Sequence, residues 1–209
     1  RFDEEMDGET RSYFLDIVLD ECDRMTRIVS DLLTLSRLDN KRTKWNIETF
    51  DVRQLLKHNV ESLVPSLEEH HHKVTFGADK NVPPITADRQ RIEQVFINIL
   101  SNAIKYTPSG GHIDIKLLKS APGRITVVVT DNGIGIPEED VGHLFERFYR
   151  TDASRNSSKG GSGIGLSIVK KIVEDHGGYI WATSKEGEGT CMHFVLRKYI
   201  EQRKEGEQV

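Results

Sequence analysis

The stretch DRQRIEQVFINILSNAIKY, from Asp88 to Tyr106, decides what kind of domain this chain builds. Asp88 is a helix N-cap residue, and behind it Ile92, Val95, Phe96, Ile99, Leu100 and Ala103 recur at helical spacing. A helix with one such stripe needs a layer to lie on. Its flanks supply one. Alternating apolar residues predict strands at Trp45–Phe50, Lys73–Phe76 and near Ile85, after Pro83-Pro84. Further strands are predicted at Ile113–Leu117 and Ile125–Thr130, joined by a Pro122-Gly123 turn, and at Tyr179–Thr183 and Thr190–Leu196, around Gly187 to Gly189. Two more helices are predicted, Val52–Leu67 with Asp51 as N-cap and Ser162–His176 closed by Gly177-Gly178. The class is α+β, and no internal repeat appears.

The same helix opens a series of motifs. Asn98 and Asn102, four residues apart, share one helix face, and Lys105 and Tyr106 follow at its end. DNGIGI runs from Asp131 to Ile136, FERFYR from Phe145 to Arg150, and GSGIGL from Gly161 to Leu166. In this order and spacing they resemble the ATP-binding domain of bacterial sensor histidine kinases, in the ATPase superfamily shared with gyrase, Hsp90 and MutL. The resemblance runs from about Arg11 to Leu196 and, within the family, looks closest to membrane-bound Gram-positive kinases of cell-wall or phosphate type. It implies a two-layer α/β sandwich with a mixed sheet and helices on one face, preceded by a long N-terminal helix.

The residue types suit that chemistry. Amide oxygens of Asn98 and Asn102 are hard, neutral ligands for Mg²⁺, which takes its other ligands from water and phosphate. Lys105 can deliver a point charge to the same phosphates. Two exposed helical asparagines are the plainer alternative, but their neighbours are apolar and asparagine is a poor helix former. Asp131, at a strand end, can accept from the exocyclic amine of adenine and would repel the carbonyl of guanine. Gly133 and Gly135 would let the backbone approach the ring, with Ile136 as apolar wall; an ordinary Asp-Asn-Gly turn is the alternative. Gly161, Gly163 and Gly165 precede a helix whose first N–H groups can bind phosphate, with Ile164 and Leu166 in the same motif. No strand leads into this loop and no Lys-Ser/Thr pair follows, so it is neither a Rossmann nor a Walker loop.

The resemblance adds further roles. It sets Tyr106 against the nucleotide, brings Arg150 to the γ-phosphate, makes the Ser-rich segment 151–160 a mobile lid, and matches Gly189-Thr190 to a pair near the phosphates or the Asp131 network. Arg147 reads as a solvated surface residue and Phe148 as packing under the lid. Asn98 stands where the hydrolytic relatives carry a glutamate base, and an amide cannot take a proton near neutral pH. ATP would then be held with slow hydrolysis, for a histidine nucleophile.

Residues 11–38 lack Gly and Pro and carry two apolar seams. One is Phe14, Val18, Met25, Ile28, Leu32 and Leu35; the other is Leu15, Leu19, Cys22, Val29 and Leu33. Two seams on one helix predict contacts on two sides, as in a four-helix bundle, rather than a helix lying across its own domain. By resemblance this is the second helix of a dimerisation hairpin, whose first, histidine-bearing helix would precede Arg1. The acidic segment 1–10 reads as a loop and Asp39–Lys44 as a hinge. The expected organisation is 1–40 partial hairpin, 45–198 catalytic domain and 199–209 tail. Expected partners are the histidine-bearing helix, a response regulator receiver domain and a second copy of the parent chain.

Composition constrains the rest. The formal charge is -4 with a pI near 6.1, which gives nucleic-acid binding no electrostatic support. Two cysteines make no disulfide framework and fit a reducing compartment, so a cytoplasmic fragment of a membrane-anchored protein is expected, itself touching no membrane. The opening at Arg1 reads as an excised fragment. His70-His71-His72 cannot all face one metal from an extended chain and read as a solvated turn. His176 reads as a helix end, and His58, His112, His143 and His193 lack zinc-type spacing. Two other functions share these residues: an ATP-dependent switch that transfers no phosphoryl group, and a slow ATPase. Phosphorylation of an added acceptor histidine separates the first from a kinase, and steady hydrolysis identifies the second.

Overall fold

The computed structural model describes residues 7–40, 44–121, 123–151 and 161–197. The expected tail, residues 1–6 of the expected N-terminal loop, half of the hinge, Pro122 of the predicted turn and all of the lid but Thr151 lie outside them. The elements in order are α1 (Gly8–Asp39), β1 (Ile47–Phe50), α2 (Val52–Ser62), α3 (Val64–Glu69), β2 (Lys73–Ala78), β3 (Ile85–Asp88) and α4 (Arg89–Tyr106). There follow β4 (His112–Ala121), β5 (Arg124–Asp131), α5 (Glu138–Val141), α6 (Gly165–Asp175), β6 (Tyr179–Lys185) and β7 (Gly189–Arg197).

Among the described residues the sheet is five-stranded, in the order β2-β4-β5-β7-β6. The β2–β4 pair is parallel and the others antiparallel, so the sheet is mixed, while β1 and β3 form a separate antiparallel pair. One face carries Ile113, Ile115, Leu117, Ile125, Val127, Val129, Met192, Phe194 and Leu196, all buried. The α4 stripe lies against it, with the Phe96 and Phe194 rings 5.2 Å apart, and α2 and α6 add Leu55, Leu56, Ile168 and Ile172 to one core. The fold is the two-layer α/β sandwich the motifs imply.

The structure departs from the sequence reading in three of the predicted helices. The predicted Val52–Leu67 helix is two helices, broken at Leu63 because Pro65 in the first turn of α3 has no N–H to continue the ladder. Helix α1 starts at Gly8 rather than Arg11, because the Asp7 carboxylate accepts from Thr10 N at 2.7 Å and caps the end. Helix α6 starts at Gly165 rather than Ser162, because Gly163 takes φ +69° and the Ser162 hydroxyl accepts the Ile164 N–H.

Among the described residues, helix α1 enters the core at its C-terminal end. Leu35 and Leu38 are buried in the core, whereas Phe14, Leu15, Val18, Leu19, Met25, Val29 and Leu33 are each more than half exposed. The apolar seams stand largely uncovered.

Candidate functional site

Between α1, α4, the sheet and the GSGIGL loop lies a cleft of about 1090 Å³. Its lining includes Asn98, Asn102, Lys105, Tyr106, Asp131, Gly135, Ile136, Arg150, Gly161, Gly163, Gly165, Leu166 and Thr190. Gly133 and Ile164 stand behind the wall, Ile164 being fully buried. The sequence-predicted site residues are therefore brought to one place, all but two of them on the surface of the cleft.

Asp131 ends β5 directly opposite Thr190 on β7. Its Oδ1 accepts from Gly133 N at 2.9 Å and from Thr190 N at 3.2 Å. Among the described residues no donor reaches Oδ2, which is left to the cleft. Burial raises the pKa of this carboxyl above the ordinary 3.8, and the two backbone N–H groups oppose that shift. Thr190 also shares a 2.9 Å hydrogen bond with Ser184, so it belongs to the Asp131 network rather than standing alone.

The glycines of DNGIGI have an internal reason for being glycine. A Cβ on Gly133 would lie 2.5 Å from Tyr106 O, and one on Gly135, at φ +69°, would lie 2.0 Å from Lys185 O. The space beside both is filled by the chain's own backbone, not by room for a ring. Ile134 N donates to Tyr106 O and Gly187 N to Ile134 O, which sews this turn between the end of α4 and the β6–β7 turn.

At the other end of the cleft the contacts are sparse. Asn98 Nδ2 approaches Gly165 O at 3.5 Å, which turns its Oδ1 away from the loop. Asn102 is half-buried and lines the cleft. These two amide oxygens fit a Mg²⁺ site completed by water and phosphate. Lys105 Nζ donates to Tyr106 Oη at 3.2 Å and sits 4.8 Å from that ring's centre, close to Gly161. Arg150 lines the same end.

The FERFYR segment braces this edge. Phe145 packs on the core, and Phe148 N donates to Gly163 O at 2.9 Å with Phe148 itself at φ 64°. A Cβ on Gly163 would lie 2.9 Å from Phe148 C, so the two motifs touch through backbone. The Phe148 side chain is exposed, and the lid it is expected to pack under lies outside the described residues. Arg147 is more than a solvated residue: it pairs with Asp39 of α1 at 2.8 Å.

Helix α1 also contributes to the cleft, which sequence reading missed. Ile17, Glu21, Arg24, Ile28 and Asp31 line it at alternating four- and three-residue steps. That mixed polar stripe was present in the sequence, overlapping the first apolar seam at Ile28. Asp31 accepts from Ser162 Oγ at 2.9 Å, a contact across more than a hundred residues that no local pattern encodes.

His70, His72 and His176 serve structure. His72 bonds the Thr107 and Pro108 carbonyls, and His70 bonds Ser66 O, so the triplet is a hydrogen-bonded turn rather than a solvated one. His176, buried at the end of α6, accepts from Asp88 N through Nε2 and faces Ile172 O through Nδ1. Among the described residues no three His, Cys, Asp or Glu side chains gather to hold a metal ion.

The histidine kinase-, DNA gyrase B- and HSP90-like ATPases match residues 87–200. The sensor histidine kinase WalK of Bacillus subtilis (strain 168) is 39% identical over 184 residues, which are 88% of this chain and 30% of that protein. The chain thus spans about a third of that relative's length. Full-length ShkA, solved with AMPPNP, superposes with a TM-score of 0.78 at 26% identity, covering 92% of this chain and 39% of that one. Histidine kinase ThkA, solved with the response regulator TrrA, gives 0.74 at 28% identity, covering 94% and 54%.

Proposed function

The chain belongs to the family of histidine kinase-, DNA gyrase B- and HSP90-like ATPases, and from that footing we propose that its cleft binds ATP and delivers the γ-phosphoryl group to a histidine on a partner helix. The observation that carries this is Asp131. Its Oδ1 is committed to two backbone donors, so its Oδ2 is fixed in place to accept from the exocyclic amine of adenine. Guanine presents a carbonyl there and is rejected. A neighbour solved with AMPPNP supports the same ligand class.

The phosphates run toward Lys105, Arg150 and the first turn of α6. Lys105 and Arg150 neutralise charge on the phosphates, and the free N–H groups at Gly165 and Leu166 add backbone donors. Asn98 and Asn102 would hold Mg²⁺, which when bound supplies charge neutralisation between the phosphates. Asn98 has no basicity with which to activate water, so the γ-phosphoryl is kept for a delivered imidazole.

That imidazole comes from a helix packed on the open seams of α1, in a homodimeric bundle of the parent protein. A response regulator receiver domain takes the phosphoryl onward, as the ThkA complex with TrrA supports. No helix among the described residues is long and apolar enough to cross a membrane. We place this domain on the cytoplasmic side of an anchored sensor kinase.

Calorimetry tests the reading. ATP with Mg²⁺ is expected to bind and GTP not, and Asp131→Asn is expected to weaken ATP by about 30-fold, the worth of a hydrogen bond to a charged group. Equal binding of GTP, or an unaffected variant, would overturn the assignment of Asp131. An added acceptor hairpin should then take radiolabel from γ-labelled ATP at histidine. ATP binding without transfer would leave a nucleotide switch.

A further inference from the structure

The sheet face turned away from the cleft carries a second chemical cluster. Cys191 and His193 are two residues apart on β7, so both side chains stand on that face. Cys191 Sγ is 3.1 Å from His193 Nε2 and 3.1 Å from Thr130 Oγ1 of the neighbouring strand. The imidazole lies flat on Trp181, with centres 4.7 Å apart and planes within 4°, and Trp181 stacks in turn on Tyr179. That stack fixes the ring so that Nε2 faces the sulfur. Lys116, paired with Asp114 at 2.9 Å, is close enough to the thiol for the two to interact electrostatically.

We propose that Cys191 is an activated thiol, a modification site for hydroperoxides, with His193 as its base and Thr130 as a donor to the sulfur. Burial lowers the pKa of His193 and so favours the neutral ring, whose Nε2 lone pair can take the thiol proton during attack. With hydrogen peroxide, sulfur attacks one oxygen as Nε2 takes the proton. The S–O bond forms, the O–O bond breaks, and the departing hydroxide recovers the proton from Nε2 as water. Sulfur is oxidised by two electrons to a sulfenic acid and the peroxide is reduced to water. The position matters because Cys191 follows Thr190, whose N–H holds Asp131.

Cys22 is an internal control. It is the more exposed cysteine, and among the described residues nothing bonds its sulfur. The 209-residue chain, in which the seam that carries Cys22 is uncovered, would be treated with hydrogen peroxide and dimedone, and the adduct at each cysteine followed by mass spectrometry. Cys191 is expected to react at least about tenfold faster than Cys22, well within what a positioned base supplies. His193→Gln should bring it down to the Cys22 rate while Cys22 itself is unchanged, and Thr130→Val should slow it in part. A smaller ratio in the unaltered protein, which needs no variant to fold, overturns the proposal. So does a fast Cys191 in a folded His193→Gln.

Discussion

The two ends of the cleft are built differently. Around Asp131 the chain closes on itself: backbone of Tyr106, Lys185 and Asp131 occupies the space beside Gly133, Gly135 and Gly189 at 2.0–2.5 Å from where a Cβ would stand. At the other end, among the described residues, Lys105 Nζ bonds the Tyr106 hydroxyl, Asn98 meets Gly165 at 3.5 Å, and the α1 edge carries the exposed Arg147–Asp39 ion pair. The first end is preformed, because nothing there can move without breaking backbone contacts. The second is a set of side chains that a charged ligand must gather. Base selection should therefore depend on the fold itself, and phosphate binding on individual side chains that fold without it.

That contrast can be broken most forcefully at Gly135. Its φ of +69° and the Lys185 carbonyl leave no place for a methyl group. Gly135→Ala is expected to cost about 3 kcal/mol or more, from backbone strain together with overpacking. Thermal unfolding should show a loss of roughly 10 °C for a chain of this size. An unchanged melting temperature would mean that the base end is as adaptable as the phosphate end.

A second test sharpens the same end by pH. Folding raises the Asp131 pKa through burial, so the folded chain keeps this proton at pH values where the unfolded chain has lost it. Its contribution to stability is full below the unfolded value and is lost as pH rises through the folded one. Ligand binding runs the other way, because protonated Asp131 no longer offers the acceptor. ATP affinity is expected to fall as pH drops toward the ordinary carboxyl value of 3.8, beginning above it, and Asp131→Asn should abolish that slope. Titration calorimetry across this range reads both.

Sequence reading reached these two ends unequally. Helix α4, the strands and the motif residues were legible because their periodicity and residue types are local: Phe96 is buried where the helical stripe puts it. The placement of Asn98, Asp131 and Gly161 around one cleft came from the order of motifs. Illegible were the features made by contacts between distant segments. Nothing local says that Gly135 faces Lys185 O, that Arg147 pairs with Asp39, or that Ser162 bonds Asp31. The break at Leu63 had a visible cause in Pro65, which a helix tolerates in its first turn and not in its middle.

At the phosphate end, Lys105→Ala should leave the melting temperature nearly unchanged, since its hydrogen-bond partner among the described residues is the half-buried Tyr106 hydroxyl. ATP binding should weaken by about tenfold, roughly one charge-assisted hydrogen bond. A variant that instead unfolds would show that Lys105 holds the α4 end, and would erase the difference between the two ends.

The smallest effect is expected at Ser162, where the cleft meets α1. Its hydroxyl accepts the Ile164 N–H at 3.2 Å and donates to Asp31 at 2.9 Å, tying the loop before α6 to the helix that carries the open seams. Ser162→Ala removes both bonds but leaves the Gly163 turn and the Leu35–Leu38 contacts in place, so stability should fall by about 1 kcal/mol. Asp31→Asn keeps an acceptor for the hydroxyl and should cost less. If α1 is only a structural brace, both variants bind ATP as the unaltered chain does. If α1 edges the phosphate end as its Glu21–Arg24–Asp31 stripe indicates, releasing it by Ser162→Ala shifts ATP affinity by a few-fold while Gly135 and Asp131 stay in place. Calorimetry on the two variants therefore shows whether the loose end of the cleft extends into α1 or stops at the GSGIGL loop.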